Sequence, residues 1–70
     1  MNIDYFNSIR SDIRSCLESL NSFEEAQEYS RQEQVLDELT EGYLRRKKFF
    51  NDNVKNYLEW QLGINCIIFH

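Results

Sequence analysis

The sequence predicts an all-α fold: a small helical hairpin or three-helix arrangement that ends in a short extended apolar C-terminal tail. Three observations carry this. Apolar residues recur at helical spacing near the start of the chain, a helix-start motif follows a turn, and a seven-residue apolar stripe then runs on toward a glycine stop. With two Gly and no Pro among 70 residues, no flexible linker divides the chain, and residues 1–70 read as one helical domain.

The first helix is expected at about 3–20. Ile3, Phe6, Ile9, Ile13, Cys16, Leu17, Leu20 and Phe23 fall within about 160° of arc on a helical wheel, the width of one core-facing side. Asn2 stands where it can cap the first turn. A turn at Asn21-Ser22 follows. Ser22-Phe23-Glu24-Glu25 fits a capping box, with Ser22 as N-cap and Glu25 at the third helical position. Glu24 and Glu25 also suit the positive end of the helix dipole.

The second helix is therefore expected at about 23–50. Tyr29, Leu36, Tyr43, Phe50 and Tyr57 are spaced seven apart, but the companion seam of Ala26, Glu33, Thr40, Lys47, Val54 and Gln61 is largely polar. The stripe reads as a packing face rather than a zipper. Gly42 weakens the interior by about 1 kcal/mol relative to Ala. Asn51-Asp52-Asn53 is the local breaker, because short polar side chains compete for backbone hydrogen bonds. A break there gives a third helix at about 53–62, stopped by Gly63 in a left-handed cap with Ile64 as its apolar contact.

Residues 63–70, Gly63 to His70, form the tail. Phe49 and Trp60 lie on a second stripe about 80–100° from the Phe50, Val54 and Tyr57 face, so the third helix needs cover on two sides. The tail covers that second side, docks on another chain (an identical copy or a target, for instance by strand addition), or stays disordered. Ile67 and Phe69 are left unprotected by a folded-back tail and are candidate partner contacts.

Composition narrows the function. A chain this short buries little surface and is marginal alone, so a second copy is one way to gain core. Cys16 and Cys66 make no disulfide framework and read as reduced thiols of a cytoplasmic protein, although one bridge between them is open. The one His, His70, leaves no Cys/His zinc set, and neither metal nor cofactor is expected. Met1-Asn2-Ile3-Asp4 is no signal peptide. The tail is the longest apolar run and falls far short of the roughly 20 residues of a membrane span.

Charge is uneven. Residues 1–44 hold ten acids against Arg10, Arg14 and Arg31, while residues 45–70 hold five bases against Asp52 and Glu59, giving −7 and +3 and the net −4 of the chain. The acidic balance argues against general nucleic-acid binding, whose affinity rests on phosphate neutralisation. Glu24, Glu25, Glu28, Asp37, Glu38 and Glu41, with Glu33, read either as a solvated helix face or as an acidic decoy for a basic groove. Arg45, Arg46, Lys47 and Lys48 read as dipole-complementing residues at a helix end, with Glu41 able to pair with Arg45 four residues on. A nucleic-acid patch beside Phe49 is the sharper alternative. Tyr5, Tyr29 and Trp60 are candidate surface anchors, since such residues concentrate interface energy.

Val35-Leu36-Asp37-Glu38-Leu39, with Tyr43 following, resembles the small sporulation-type aspartyl-phosphate phosphatases, whose motif is a Ser followed four residues later by an Asp. Asp37 matches that Asp, and Glu33 stands where the family has its Ser. The resemblance covers about a dozen residues of helix and implies, as a remote alternative, a regulator of phosphorylated aspartate.

The expected function is that of a non-enzymatic inhibitor or regulator that binds a basic surface of a partner protein stoichiometrically, in the manner of phage-encoded anti-defence and anti-CRISPR-type proteins. The alternatives are a nucleic-acid-associated regulator using Arg45 to Lys48, and a structural homodimer. No membrane partner is expected.

Overall fold

The computed structural model describes residues 2–21 and 23–63. They form α1 (Ile3–Ser19), α2 (Glu24–Tyr29), α3 (Glu33–Arg46), a 3-10 turn (Lys47–Phe50) and α4 (Val54–Leu62), with no strand among the described residues. The all-α expectation holds. The capping role given to Ser22 and the roles given to residues 64–70, Ile67 and Phe69 included, lie outside the described residues.

Asn2 caps α1 as expected: its Oδ1 accepts from the backbone N–H of Asp4 at 2.8 Å and of Tyr5 at 3.3 Å. The helix buries Ile9, Ile13 and Leu17, one turn apart along a single stripe. Its far end is closed by a residue from elsewhere. The Gln27 side-chain amide donates to the carbonyls of Leu17, Glu18 and Leu20 at 3.1, 3.1 and 3.2 Å, adding to the backbone N–H groups of Leu20 and Phe23 that already reach Leu17 and Leu20.

That contact explains the main departure from expectation. The single helix expected over 23–50 is broken at Ser30-Arg31-Gln32 into α2 and α3, and its last turn tightens into 3-10 geometry. On an unbroken helix the buried residues Ala26 and Leu39 would lie about 140° apart, so only one could face α1. The bend brings both inward and carries Gln27 under the end of α1. Locally, the Ser30 hydroxyl donates to the Gln27 carbonyl at 2.7 Å, and the N–H groups of Arg31 and Gln32 reach back three residues, to Glu28 and Tyr29 at 3.1 Å. Gln32 then turns extended, at φ −107° and ψ 108°. Phe23 stands at the N-cap of α2 without a side-chain capping bond.

Replacing Gln27 by Ala should cost about 1 kcal/mol, because three carbonyls at the partly buried end of α1 each lose one donor while those of Leu17 and Leu20 keep a backbone N–H. Urea unfolding followed by far-UV circular dichroism reads this. An unchanged midpoint would mean that water serves those carbonyls as well.

The expected break at 51–53 is present. Asn51 and Asp52 are both left-handed, at φ 54° and 56°, a conformation that short polar side chains tolerate best after Gly. Asn53 then caps α4, its Oδ1 accepting from the N–H of Asn56 at 3.1 Å. Gly63 ends α4 at φ 72°, the left-handed stop that Gly supplies without steric cost.

The core gathers Ile9, Ile13, Leu17, Ala26, Leu36, Leu39, Tyr43, Tyr57 and Leu58. Rings extend it outward: Tyr43 to Tyr57 at 5.6 Å between centroids, Tyr57 to Phe50 at 5.5 Å and Phe50 to Trp60 at 5.4 Å, within the range of favourable edge and tilted pairs. Among the described residues no helix is long and apolar enough to cross a membrane.

Candidate protein-docking surfaces

Two contacts set α1 against α3 in opposite directions. Near the start of α3, Arg10 Nε donates to Asp37 Oδ1 at 2.6 Å, and Arg10 Nη2 to Glu33 Oε2 at 2.8 Å, with Arg14 Nη2 to Glu33 Oε1 at 3.5 Å. Just past the end of α3, Lys47 Nζ donates to the Tyr5 hydroxyl at 3.1 Å. The first turn of α1 therefore lies beside the end of α3, and charge separates along the molecule. Acids crowd α2 and the start of α3, and cations crowd the 3-10 turn.

The hydrogen bond to Asp37, reinforced by Glu33, holds the Arg10 guanidinium more firmly protonated than usual despite the opposing pull of desolvation. Arg10 is mostly covered while both carboxylates remain largely exposed, so each bond contributes little energy, below about 1 kcal/mol. Its larger effect is on what the surface offers. Glu33 and Asp37 are already paired, which leaves the other acids to meet an incoming cation. Asp37, the residue that matches the phosphatase motif, is thus held by Arg10 and not free.

Glu24, Glu25 and Glu28 are exposed on α2, and Glu38 and Glu41 are exposed on the outer side of α3. Glu25 Oε2 accepts from the Tyr29 hydroxyl at 3.2 Å, and that bond together with the Glu25 charge pushes the Tyr29 phenol pKa up. Gln34 Nε2 donates to Glu38 at 3.4 Å. Glu24, Glu28 and Glu41 make no ion pair among the described residues. Glu38 and Glu41 form one wall of an open groove of about 550 Å³, which also takes in half-buried Tyr29, Gly42, Arg45 and Gln61 of α4.

The basic cluster is split by its helical setting. Arg46 Nη1 donates to the Gly42 carbonyl at 3.2 Å, and Lys47 is held by Tyr5, while Arg45 and Lys48 remain exposed. Phe49 is 84% exposed, and Trp60 is 51% exposed with its ring tilted on Phe50. Tyr5 is 42% exposed, though its hydroxyl is engaged.

The structure therefore brings Glu38 and Glu41 into one groove with Tyr29, whose hydroxyl reaches Glu25, and leaves Glu24 and Glu28 exposed on α2. Tyr5 and Phe49 stand with the cations, and Trp60 belongs to the edge of the ring cluster. Reasoning from sequence did not single out Arg10, Arg14 or Gln27. A signal for the first two was present: Arg10 and Arg14 stand four apart, as do Glu33 and Asp37, two matched pairs of opposite sign suited to facing helices. Gln27 carries no such signal.

The described residues define a small all-α protein. No family model, curated protein or solved structure matches this chain.

Proposed function

We propose that the protein is a small cytoplasmic regulator that binds a basic surface of a partner protein stoichiometrically and inhibits it, as phage-type anti-defence proteins do. The observation that supports this is the set of exposed acids on α2 and α3. Among the described residues Arg10 and Arg14 pair with Glu33 and Asp37, and Glu24, Glu25, Glu28, Glu38 and Glu41 make no ion pair. Such a surface steers association toward cationic targets and excludes acidic ones. Tyr29, at the edge of the same surface, supplies an aromatic anchor.

The triple reversal Glu25→Lys, Glu28→Lys and Glu38→Lys tests the reading. All three side chains are exposed, so far-UV circular dichroism should stay unchanged. The wild-type chain, immobilised, should retain a partner that added salt releases, because the screening length between exposed charges, about 10 Å at 0.1 M, shortens as salt rises. The variant should lose that partner by tenfold or more, about 1.4 kcal/mol. Equal retention by both proteins would sink the acidic-surface reading.

A further inference from the structure

The other end of the molecule carries a feature that the acidic surface does not account for. Leu44, Arg45, Lys47, Lys48 and Phe49 line a hollow of about 550 Å³. Its apolar part comes from Leu44 and Phe49, and its rim is cationic. The tight turn creates it: with about three residues per 3-10 turn, Phe50 points into the ring cluster while Phe49 is thrown outward, 84% exposed. A single exposed apolar residue is ordinary. An exposed ring that lines a hollow between two cations is less so. Arg46 and Lys47 are engaged by Gly42 and Tyr5, whereas Arg45 and Lys48 have no carboxylate within ion-pair distance among the described residues.

We propose that this hollow is a docking site for a short acidic peptide segment of a partner protein, an apolar side chain of which enters between Leu44 and Phe49 while flanking carboxylates meet Arg45 and Lys48. Charge complementarity selects an anionic occupant, and the apolar lining selects one that carries a hydrophobic side chain. A nucleic-acid strand would extend beyond the hollow toward Glu41, one turn before Arg45, and toward Asp52, whose charge reaches Lys47. Strand-binding proteins instead combine a continuous cationic track with several stacking rings. A segment of a few residues avoids both acids.

The hollow shares Arg45 with the groove of Glu38 and Glu41 and is tested separately from the acidic surface. The probe is a fluorescein-labelled pentapeptide with a central Phe between pairs of Asp and Glu, titrated with the full chain and followed by anisotropy. Saturable binding that weakens with salt is expected, with a loss of tenfold or more for Arg45→Glu with Lys48→Glu, and a comparable loss for Phe49→Ser. All three side chains are exposed, so both variants should keep the wild-type melting temperature. The Glu25, Glu28 and Glu38 reversal should not weaken this binding, which separates it from the function proposed above. Absence of saturable binding would overturn the proposal, as would equal binding of a peptide with Lys in place of the acids, or indifference to the substitutions. Tighter binding of oligothymidylate or phosphatidylserine vesicles, lost in the same variants, would also overturn it and reassign the hollow to that ligand.

Discussion

Replacing Tyr57 by Ala should remove roughly half of the protein's stability and lower its urea midpoint sharply. Tyr57 is 2% exposed and packs edge-on against Tyr43 and Phe50 at 5.6 and 5.5 Å, with Trp60 at 6.1 Å. Its ring joins α3, the 3-10 turn and α4, so its loss opens a cavity where three elements meet. Truncating a buried aromatic costs about 3–5 kcal/mol. A chain of 70 residues has roughly 4–10 kcal/mol of stability in total. Far-UV circular dichroism with a urea titration measures the outcome. Tyr57→Phe provides the contrast, since it keeps the ring and should retain the fold. A Tyr57→Ala variant that melts cooperatively near the wild-type temperature would show that the ring cluster contributes little to holding the elements together.

Gly42→Ala should destabilise the protein by about 1–2 kcal/mol, although Ala is the better helix former by about 1 kcal/mol. Gly42 lies inside α3 and is buried beneath the Tyr57 hydroxyl, and a methyl group there would collide with that oxygen. Tyr57 cannot easily yield, because Tyr43 and Phe50 fix its ring, and overpacking a fixed neighbour costs about 1–3 kcal/mol. The sign should reverse when the oxygen is removed. With Tyr57→Phe as background, the nearest ring carbon stands 3.5 Å from the added methyl, an ordinary contact, and Gly42→Ala should become neutral or stabilising. A double-mutant cycle by urea unfolding reads this directly. Equal effects in both backgrounds would mean that the hydroxyl is not what excludes the methyl group.

These two residues also mark where sequence reasoning stopped. Gly42 reads in sequence as a weak point of a long helix, and only the folded neighbour shows why a side chain is excluded there. The stripe Tyr29, Leu36, Tyr43, Phe50 and Tyr57 suggested one face of a long helix. In the structure its members belong to α2, α3, the 3-10 turn and α4, and Tyr43, Phe50 and Tyr57 meet by tertiary packing across the bends. The regular spacing concealed the break at Ser30-Arg31-Gln32, which has neither Gly nor Pro to announce it. Features written in local chemistry were legible: the Asn2 cap, the buried stripe of α1, the Asn51-Asp52 break and the Gly63 stop. The acids of α2 and α3 were equally legible as an exposed set. That Arg10 holds Asp37, a residue 27 positions away, depends on which face of α1 meets α3, and no local pattern specifies that.

Trp60 is the only tryptophan of the chain, and its placement gives the protein an internal optical reporter. The indole leans on Phe50 and Tyr57 at the edge of the ring cluster, so its emission senses whether α4 is seated on the 3-10 turn. Tyr43 and Tyr57 lie within energy-transfer range of the indole, and excitation at the tyrosine band therefore yields a signal that fades as the cluster separates. Combined with backbone ellipticity, which weighs every helix, this emission distinguishes undocking of α4 from collapse of the whole bundle without any label.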